Sequence, residues 1–236
     1  MRKRYMGPIL LTLPVSILSL TGPAIEVVVG PYDATQRTWV LPKALLSYHS
    51  FFFRAACEHD FKERLENRVT LPEDIPEIFG LFVQWMYSED CDIIKHCNYE
   101  DGVYNGVRAW VLGDKLRVRG FKNFALRQLH KLLIPLDGNE PLCHIEPIEI
   151  RYAYNNTLPE SELQRFFLLA TAAYWDCGHD KIKYLIKSED WEDLWEEHRD
   201  FRNDLLRNLL SSREVRLARL RRVMGDFEIE NKDVRS

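Results

Sequence analysis

The spacing of apolar residues changes at Pro42, where two predicted strands are followed by a predicted helix. Residues 25–29 are rich in β-branched residues and are followed by Gly30-Pro31, which is a turn signal. Residues 37–41 then supply the partner strand of a hairpin. After Pro42, apolar residues recur at steps of three and four, which is typical of an amphipathic helix. The first such stripe consists of Leu45, Leu46, His49, Phe52, Phe53 and Ala56.

Helical stripes continue along the chain, and local signals mark where they end. Ser50 lies inside the first stripe and is a favourable N-cap residue, so two short helices in series are predicted there. Gly120 is predicted to separate two later helices, because glycine destabilises a helix interior. The elements predicted after the first stripe are a strand over residues 69–71 and helices over residues 75–87, 107–118 and 121–133.

The second half of the chain is predicted to be helical, with one segment left open. Residues 148–154 alternate apolar and polar side chains as a strand does, whereas Pro147 also suits the start of a helix. Residues 163–174 carry a clear helical stripe. Residues 188–190 are predicted to cap one long helix that is acidic at its start and basic at its end, an order that complements the helix dipole.

Composition and charge exclude several classes of protein. The 236 residues carry a net charge of −4, whereas a dedicated nucleic-acid-binding domain is usually strongly basic, so no nucleic acid is expected as a partner. No apolar run reaches the roughly 20 residues of a spanning helix, so no membrane is expected either. Five cysteines at irregular spacing predict free thiols in a reducing compartment, the cytoplasm or the nucleus.

The first 23 residues share two features with a secretory signal, a basic start and an apolar stretch. Pro14 and several hydroxyl residues interrupt that stretch, and the rest of the chain lacks the cysteine pattern of a disulfide framework. We therefore predict that residues 1–23 form an N-terminal arm. The alternative is a secreted helical protein whose N terminus is cleaved.

The motifs of common enzyme families are missing. The chain has no glycine-rich phosphate loop, no hydrolase nucleophile elbow and no zinc-protease helix. Cys91 and Cys97 are six residues apart, which is wider than the usual zinc-binding hook. Cys177 and His179 are close in sequence, but Gly178 between them favours a helix end over a nucleophile and its base. The sequence therefore predicts no catalytic residue, no metal site and no cofactor.

The order of the predicted elements and several motifs resemble the BTB/POZ domain, in the form seen in fungal members. Residues 39–56 resemble its signature of a strand, a leucine pair and aromatic residues. Residues 60–63 resemble its Phe-x-Glu element, and Tyr87 ends a helix as an aromatic residue does in that family. Residues 109–126 resemble the two helices that follow. Pro42 departs from the pattern, because the family usually has a histidine there.

The resemblance implies an α+β fold, with a small sheet flanked by α-helices and followed by an α-helical C-terminal region. The boundaries predicted on this basis are an arm over residues 1–23, a BTB/POZ-like domain over 24–134, a helical region over 135–224 and a tail over 225–236.

The resemblance also implies a non-catalytic protein interaction module. Such a module forms a homodimer or acts as an adaptor that recruits partners, among them the cullin scaffold of a ubiquitin ligase complex. A scaffold or transcriptional co-regulator without a cullin link is the alternative. The residues that would carry partner binding by this resemblance are Phe61, Glu63 and Tyr87.

Overall fold

The structure, a computed structural model, describes residues 20–58, 67–93, 102–134, 145–175 and 189–233. These described residues form three strands and ten helices, which confirms the predicted α+β class. In chain order the elements are β1 (Ala24–Val29), β2 (Arg37–Pro42), α1 (Lys43–His49), α2 (Phe51–Glu58), β3 (Arg68–Leu71), α3 (Pro76–Ser88), α4 (Asn105–Lys115), α5 (Arg119–Leu133), α6 (Pro147–Asn156), α7 (Glu162–Tyr174), α8 (Glu189–Glu197), α9 (Arg199–Leu209) and α10 (Arg213–Asp233).

The sheet has the strand order β2-β1-β3, with β1 in the centre. β1 pairs antiparallel with β2, so that Val27 lies opposite Trp39, and it pairs parallel with β3. Successive side chains of a strand point to opposite faces, and the alternate residues Ile25, Val27 and Val29 are fully buried. β2 returns the chain to the edge of the sheet where β1 begins, and the segment that contains α1 and α2 then carries it past β1 to the start of β3.

Ser50 separates α1 from α2, as the sequence predicts. Its buried hydroxyl oxygen accepts a hydrogen bond from the Phe53 backbone N–H at 3.1 Å and so caps α2. The same hydroxyl donates to the Leu116 carbonyl at 2.7 Å. One side chain therefore both starts α2 and connects the α1–α2 pair to the end of α4.

The prediction that Gly120 ends the preceding helix is wrong. α4 ends at Lys115, before Gly120, in a Schellman motif in which the Val118 N–H donates to the Gly113 carbonyl at 2.7 Å and Arg117 has a left-handed φ of 53°. Gly120 instead lies in the first turn of α5, where a Cβ atom would be 2.9 Å from the Trp85 ring. Glycine is required there because the helix packs closely on an indole.

The segment left open between strand and helix is the helix α6. Pro147 occupies its first turn, and Glu146 and Glu149 form a reciprocal capping box. One oxygen of Glu149 accepts the Glu146 N–H at 2.7 Å, while the other oxygen, Oε1, is buried without a hydrogen-bond partner among the described residues. Because burial disfavours the charged form, the pKa of Glu149 is raised to about 9.

The single long helix predicted after residue 188 is instead divided into α8, α9 and α10; Ser188 itself lies outside the described residues. The first break is at His198, whose φ of −119° and ψ of 68° are not helical. The break allows the Trp195 and Phe201 rings to stack with their centroids 5.9 Å apart. In an unbroken helix, residues six apart would lie on different faces. The acidic start and the basic end therefore belong to different helices.

One apolar core runs through both halves of the described chain. It includes Phe53 and Phe79 beside the sheet, Trp110 in α4 and Phe167 in α7, all almost completely buried. α6 packs on α4, and α10 packs on α5 and α7. α10 ends at Asp233, beyond residue 225, where the tail is predicted to begin. Among the described helices, none has the length and apolar character needed to cross a membrane.

Replacement of Ser50 tests the junction of α1 and α2. Ser50→Ala removes the cap of α2 and leaves the Leu116 carbonyl without its bond, so we expect a loss of about 2–3 kcal/mol in the free energy of unfolding. Urea denaturation measures it. Ser88→Ala, whose hydroxyl bonds lie at the surface, is the control and should cost less than about 0.5 kcal/mol. Equal losses in the two variants would contradict this role of Ser50.

Replacement of Glu149 tests the buried carboxyl. The unfolded chain ionises Glu149 near pH 4.5 whereas the folded chain holds the proton to about pH 9, so the contribution of Glu149 to stability is greatest below pH 4.5 and falls as the pH rises toward 9. Glu149→Gln cannot ionise, and we expect the stability difference between pH 5 and pH 8 to shrink by about 2–4 kcal/mol. Denaturation at both pH values checks this. Glu73→Gln, at an exposed position, should retain the wild-type dependence.

Candidate protein interaction surface

Two aromatic side chains are exposed where α1 meets α2. Tyr48 is 65% exposed and Phe51 is 63% exposed. The Arg54 guanidinium lies 4.8 Å from the centre of the Phe51 ring, and its Nε donates to the Ser47 carbonyl at 3.1 Å. We call Tyr48, Phe51 and Arg54 the α1–α2 face. Exposed aromatic rings beside an arginine are typical of the surfaces that bind other proteins.

His49 connects this face to the end of α3. Its half-buried imidazole packs edge-on against Tyr48 at 4.8 Å and against Trp85 at 5.2 Å, measured between ring centroids. Burial lowers the pKa of His49, and a hydrogen bond with the Met86 backbone acts in the opposite direction. The C-terminal ends of α1 and α3 are therefore packed together beneath Tyr48.

Tyr87, one of the three residues that the resemblance assigns to partner binding, is in the last turn of α3. It is 41% exposed and follows Met86, the residue whose backbone bonds His49. α3 then ends at Glu89, which has a left-handed φ of 54°. Tyr87 is accessible to a partner beside the packed ends of α1 and α3. Phe61 and Glu63, the other two residues, lie outside the described residues.

The described ranges contain two cysteines, Cys57 and Cys91, and both are free thiols. Cys91 is buried and free, and burial together with the carboxylates of Asp90 and Asp92 raises its pKa to about 12. A thiol with such a pKa stays protonated near neutrality and is a poor nucleophile. Cys57 is free and half-buried. Within the described ranges, no group of three or more His, Cys, Asp or Glu could hold a metal ion.

A family comparison identifies the part of the chain that carries this face. Residues 32–102 match the family model of the BTB/POZ domain, and the match includes β2, α1, α2, β3 and α3. The chain contains a BTB/POZ domain. The α1–α2 face and Tyr87 both belong to the matched segment, as do Phe61 and Glu63. A comparison with curated proteins found no match.

The BTB/POZ domain makes the protein an interaction module with protein partners, and domains of this family are generally non-catalytic. The sequence motifs therefore predicted the family correctly. They did not identify Tyr48 and Phe51 as exposed. One sequence signal could have identified them. Both aromatic residues lie outside the apolar stripe that contains Leu45, Leu46 and Phe53, and those three residues are buried.

Proposed function

We propose that the protein is a non-catalytic adaptor whose BTB/POZ domain binds a second copy of itself through the α1–α2 face. The exposure of Tyr48 and Phe51 supports this proposal, because two large aromatic rings at the surface of a module for protein binding lose water contacts favourably in an interface. Arg54 adds a cation over one of these rings, and arginine is enriched at interfaces. A two-fold dimer would bring the same patch of both copies together.

Size-exclusion chromatography with light scattering tests self-association. We expect the wild-type chain to be a dimer at micromolar concentration and Tyr48→Ser with Phe51→Ser to weaken the dimer at least tenfold, because the buried aromatic area is lost. Leu158→Ser, at an exposed position in the helical region, is the matched control and should remain dimeric. A monomeric wild type, or a double variant that stays dimeric, would refute the proposed interface.

We also propose that Phe61, Glu63 and Tyr87 contact the cullin scaffold of a ubiquitin ligase. The exposure of Tyr87 at the end of α3 favours this role, and Phe61 and Glu63 are assigned by the Phe-x-Glu resemblance. The free thiols of Cys57 and Cys91 fit a reducing compartment, and we expect the protein in the cytoplasm or the nucleus. A scaffold or transcriptional co-regulator that binds no cullin is the alternative.

Calorimetry with a purified cullin scaffold separates these two functions. We expect Phe61→Ala with Glu63→Ala, and separately Tyr87→Ala, to weaken cullin binding at least tenfold, because an aromatic anchor and its neighbouring carboxylate carry much of an interface's energy. Tyr32→Ala, which removes an almost fully exposed ring from the turn before β2, is the control and should bind as the wild type does. A wild-type protein that does not bind cullin would favour the alternative function, that of a scaffold or transcriptional co-regulator without a cullin link.

A further inference from the structure

The outer side of α9 carries two exposed leucines in one row. Leu206 is 57% exposed, and Leu210, which follows the last residue of α9 and keeps helical dihedral angles, is 90% exposed. Residues four apart lie one above the other on a helix surface. On the other side of α9, Phe201 and Leu205 are buried in the core. A helix that packs on a core needs only one apolar stripe, so core packing does not account for the second.

Two arginines border the exposed leucines. Arg202 precedes Leu206 by one turn in the same row, and Arg207 lies in the neighbouring row. Within the described ranges, Arg202 makes no ion pair. Arg207 pairs with Asp204 at 2.8 Å, but its side chain is 77% exposed, and a pair so open to water holds the guanidinium weakly. We call Arg202, Leu206, Arg207 and Leu210 the α9 face.

The chain around the α9 face is strongly basic, although the protein as a whole is acidic. Residues 199–222 contain eight arginines and three carboxylates, a net charge of +5, whereas the whole chain carries −4. Arg219 of α10 donates to the side-chain oxygen of Asn208 in α9 at 2.9 Å, which brings a further guanidinium group beside α9. A local excess of positive charge attracts acidic ligands. The face therefore combines exposed apolar area with selection for negative charge.

We infer that the α9 face binds an acidic amphipathic helix of another protein. Leucines one turn apart pack against the apolar seam of a second helix, and charged residues beside such a seam select the partner by the sign of its charge. Arg202 and Arg207 would pair with carboxylates that flank the partner's seam. The α9 face lies outside residues 32–102, the matched BTB/POZ segment, so this partner would be bound in addition to one at the α1–α2 face.

Other occupants are less complementary to the α9 face. In a second copy, α8 is acidic, but its Trp191 and Leu194 are buried, so α8 presents carboxylates without an apolar seam. The chain's own first residues are basic and would be repelled. Nucleic acid is bound mainly through its phosphates and gains little from leucines. An anionic membrane surface would repel the exposed carboxylates of Glu192 and Glu196 in the preceding helix.

Fluorescence anisotropy tests the inference on the full chain. The probe is a labelled peptide of about 18 residues, long enough to form a helix, with a leucine seam flanked by glutamates. We expect the wild type to bind it and Leu206→Ser with Leu210→Ser to weaken binding at least tenfold. Val40→Ser with Leu158→Ser is the matched control, because it removes two exposed apolar side chains elsewhere, and should stay within twofold of the wild type. Equal losses in the two variants, or no binding by the wild type, would overturn the inference.

A second pair of variants tests the charge selection. We expect Arg202→Gln with Arg207→Gln to weaken peptide binding at least fivefold and to reduce its salt dependence. Arg221→Gln with Arg222→Gln removes two exposed arginines of α10 that do not belong to the α9 face and should stay within twofold of the wild type. A peptide with glutamine in place of glutamate should bind at least fivefold more weakly. Equal losses in the two variants, or equal binding of the two peptides, would overturn the inference.

Three measurements decide between another protein and the remaining occupants. We expect the Leu206→Ser, Leu210→Ser variant to keep the oligomeric state of the wild type, and a change would assign the face to a second copy. Replacing the carboxylates of Asp226, Glu228 and Glu230 by amides should leave the peptide affinity unchanged, and tighter binding would assign the face to the chain's own C-terminal residues. Duplex DNA and phosphatidylserine vesicles should bind more weakly than the peptide. The opposite result in any measurement would overturn another protein's helix as the occupant.

Two controls separate this inference from the proposed dimer and from misfolding. Tyr48→Ser with Phe51→Ser should retain peptide binding whatever its oligomeric state, so failure of one proposal leaves the other intact. The Leu206→Ser, Leu210→Ser variant should melt within a few degrees of the wild type, because both side chains are exposed. A variant that lost peptide binding through unfolding would be replaced by Leu210→Ser alone, for which we expect a loss of at least threefold, and an unchanged affinity would overturn the inference.

Discussion

The parallel pairing of β1 with β3 is the constraint on which the rest of the BTB/POZ segment depends. β2 returns the chain to the edge of the sheet where β1 begins, and the segment that contains α1 and α2 must then pass β1 before β3 can pair with it. Within that segment, Leu45, Leu46 and Phe53 are buried. Tyr48 and Phe51 do not share their burial and are exposed. The α1–α2 face therefore lies on the segment that connects β2 with β3.

The sequence predicted those parts of the fold that depend on neighbouring residues. The β-branched run over residues 25–29 identified β1, and Ser50 identified the junction of two helices, because β propensity and N-capping act over a few residues. The end of α4 was missed because Arg117 adopts the left-handed conformation that glycine usually occupies. The break at His198 was missed because it is coupled to the stacking of Trp195 on Phe201, which no local pattern encodes.

The candidate sites differ in the same way. Tyr87 could be selected from the sequence because a family motif marks the end of its helix, and the structure shows that it is accessible. The cleft of about 840 Å³ that is lined by Tyr154, Glu160 and Asp200 could not be predicted, because these residues belong to α6, to the turn before α7 and to α9 and meet only in the fold. Among the tryptophans, which look scattered in sequence, Trp175, Trp191 and Trp195 form one group of ring contacts.

The uninterrupted apolar core has a mechanical consequence. Because buried side chains continue from β1 to α10 and protein interiors resist compression, we expect the described helices and strands to move together as one rigid unit. A partner bound at the α1–α2 face would then be held at a fixed distance and orientation from the helical region. A flexible linker between two separate domains would instead allow many distances.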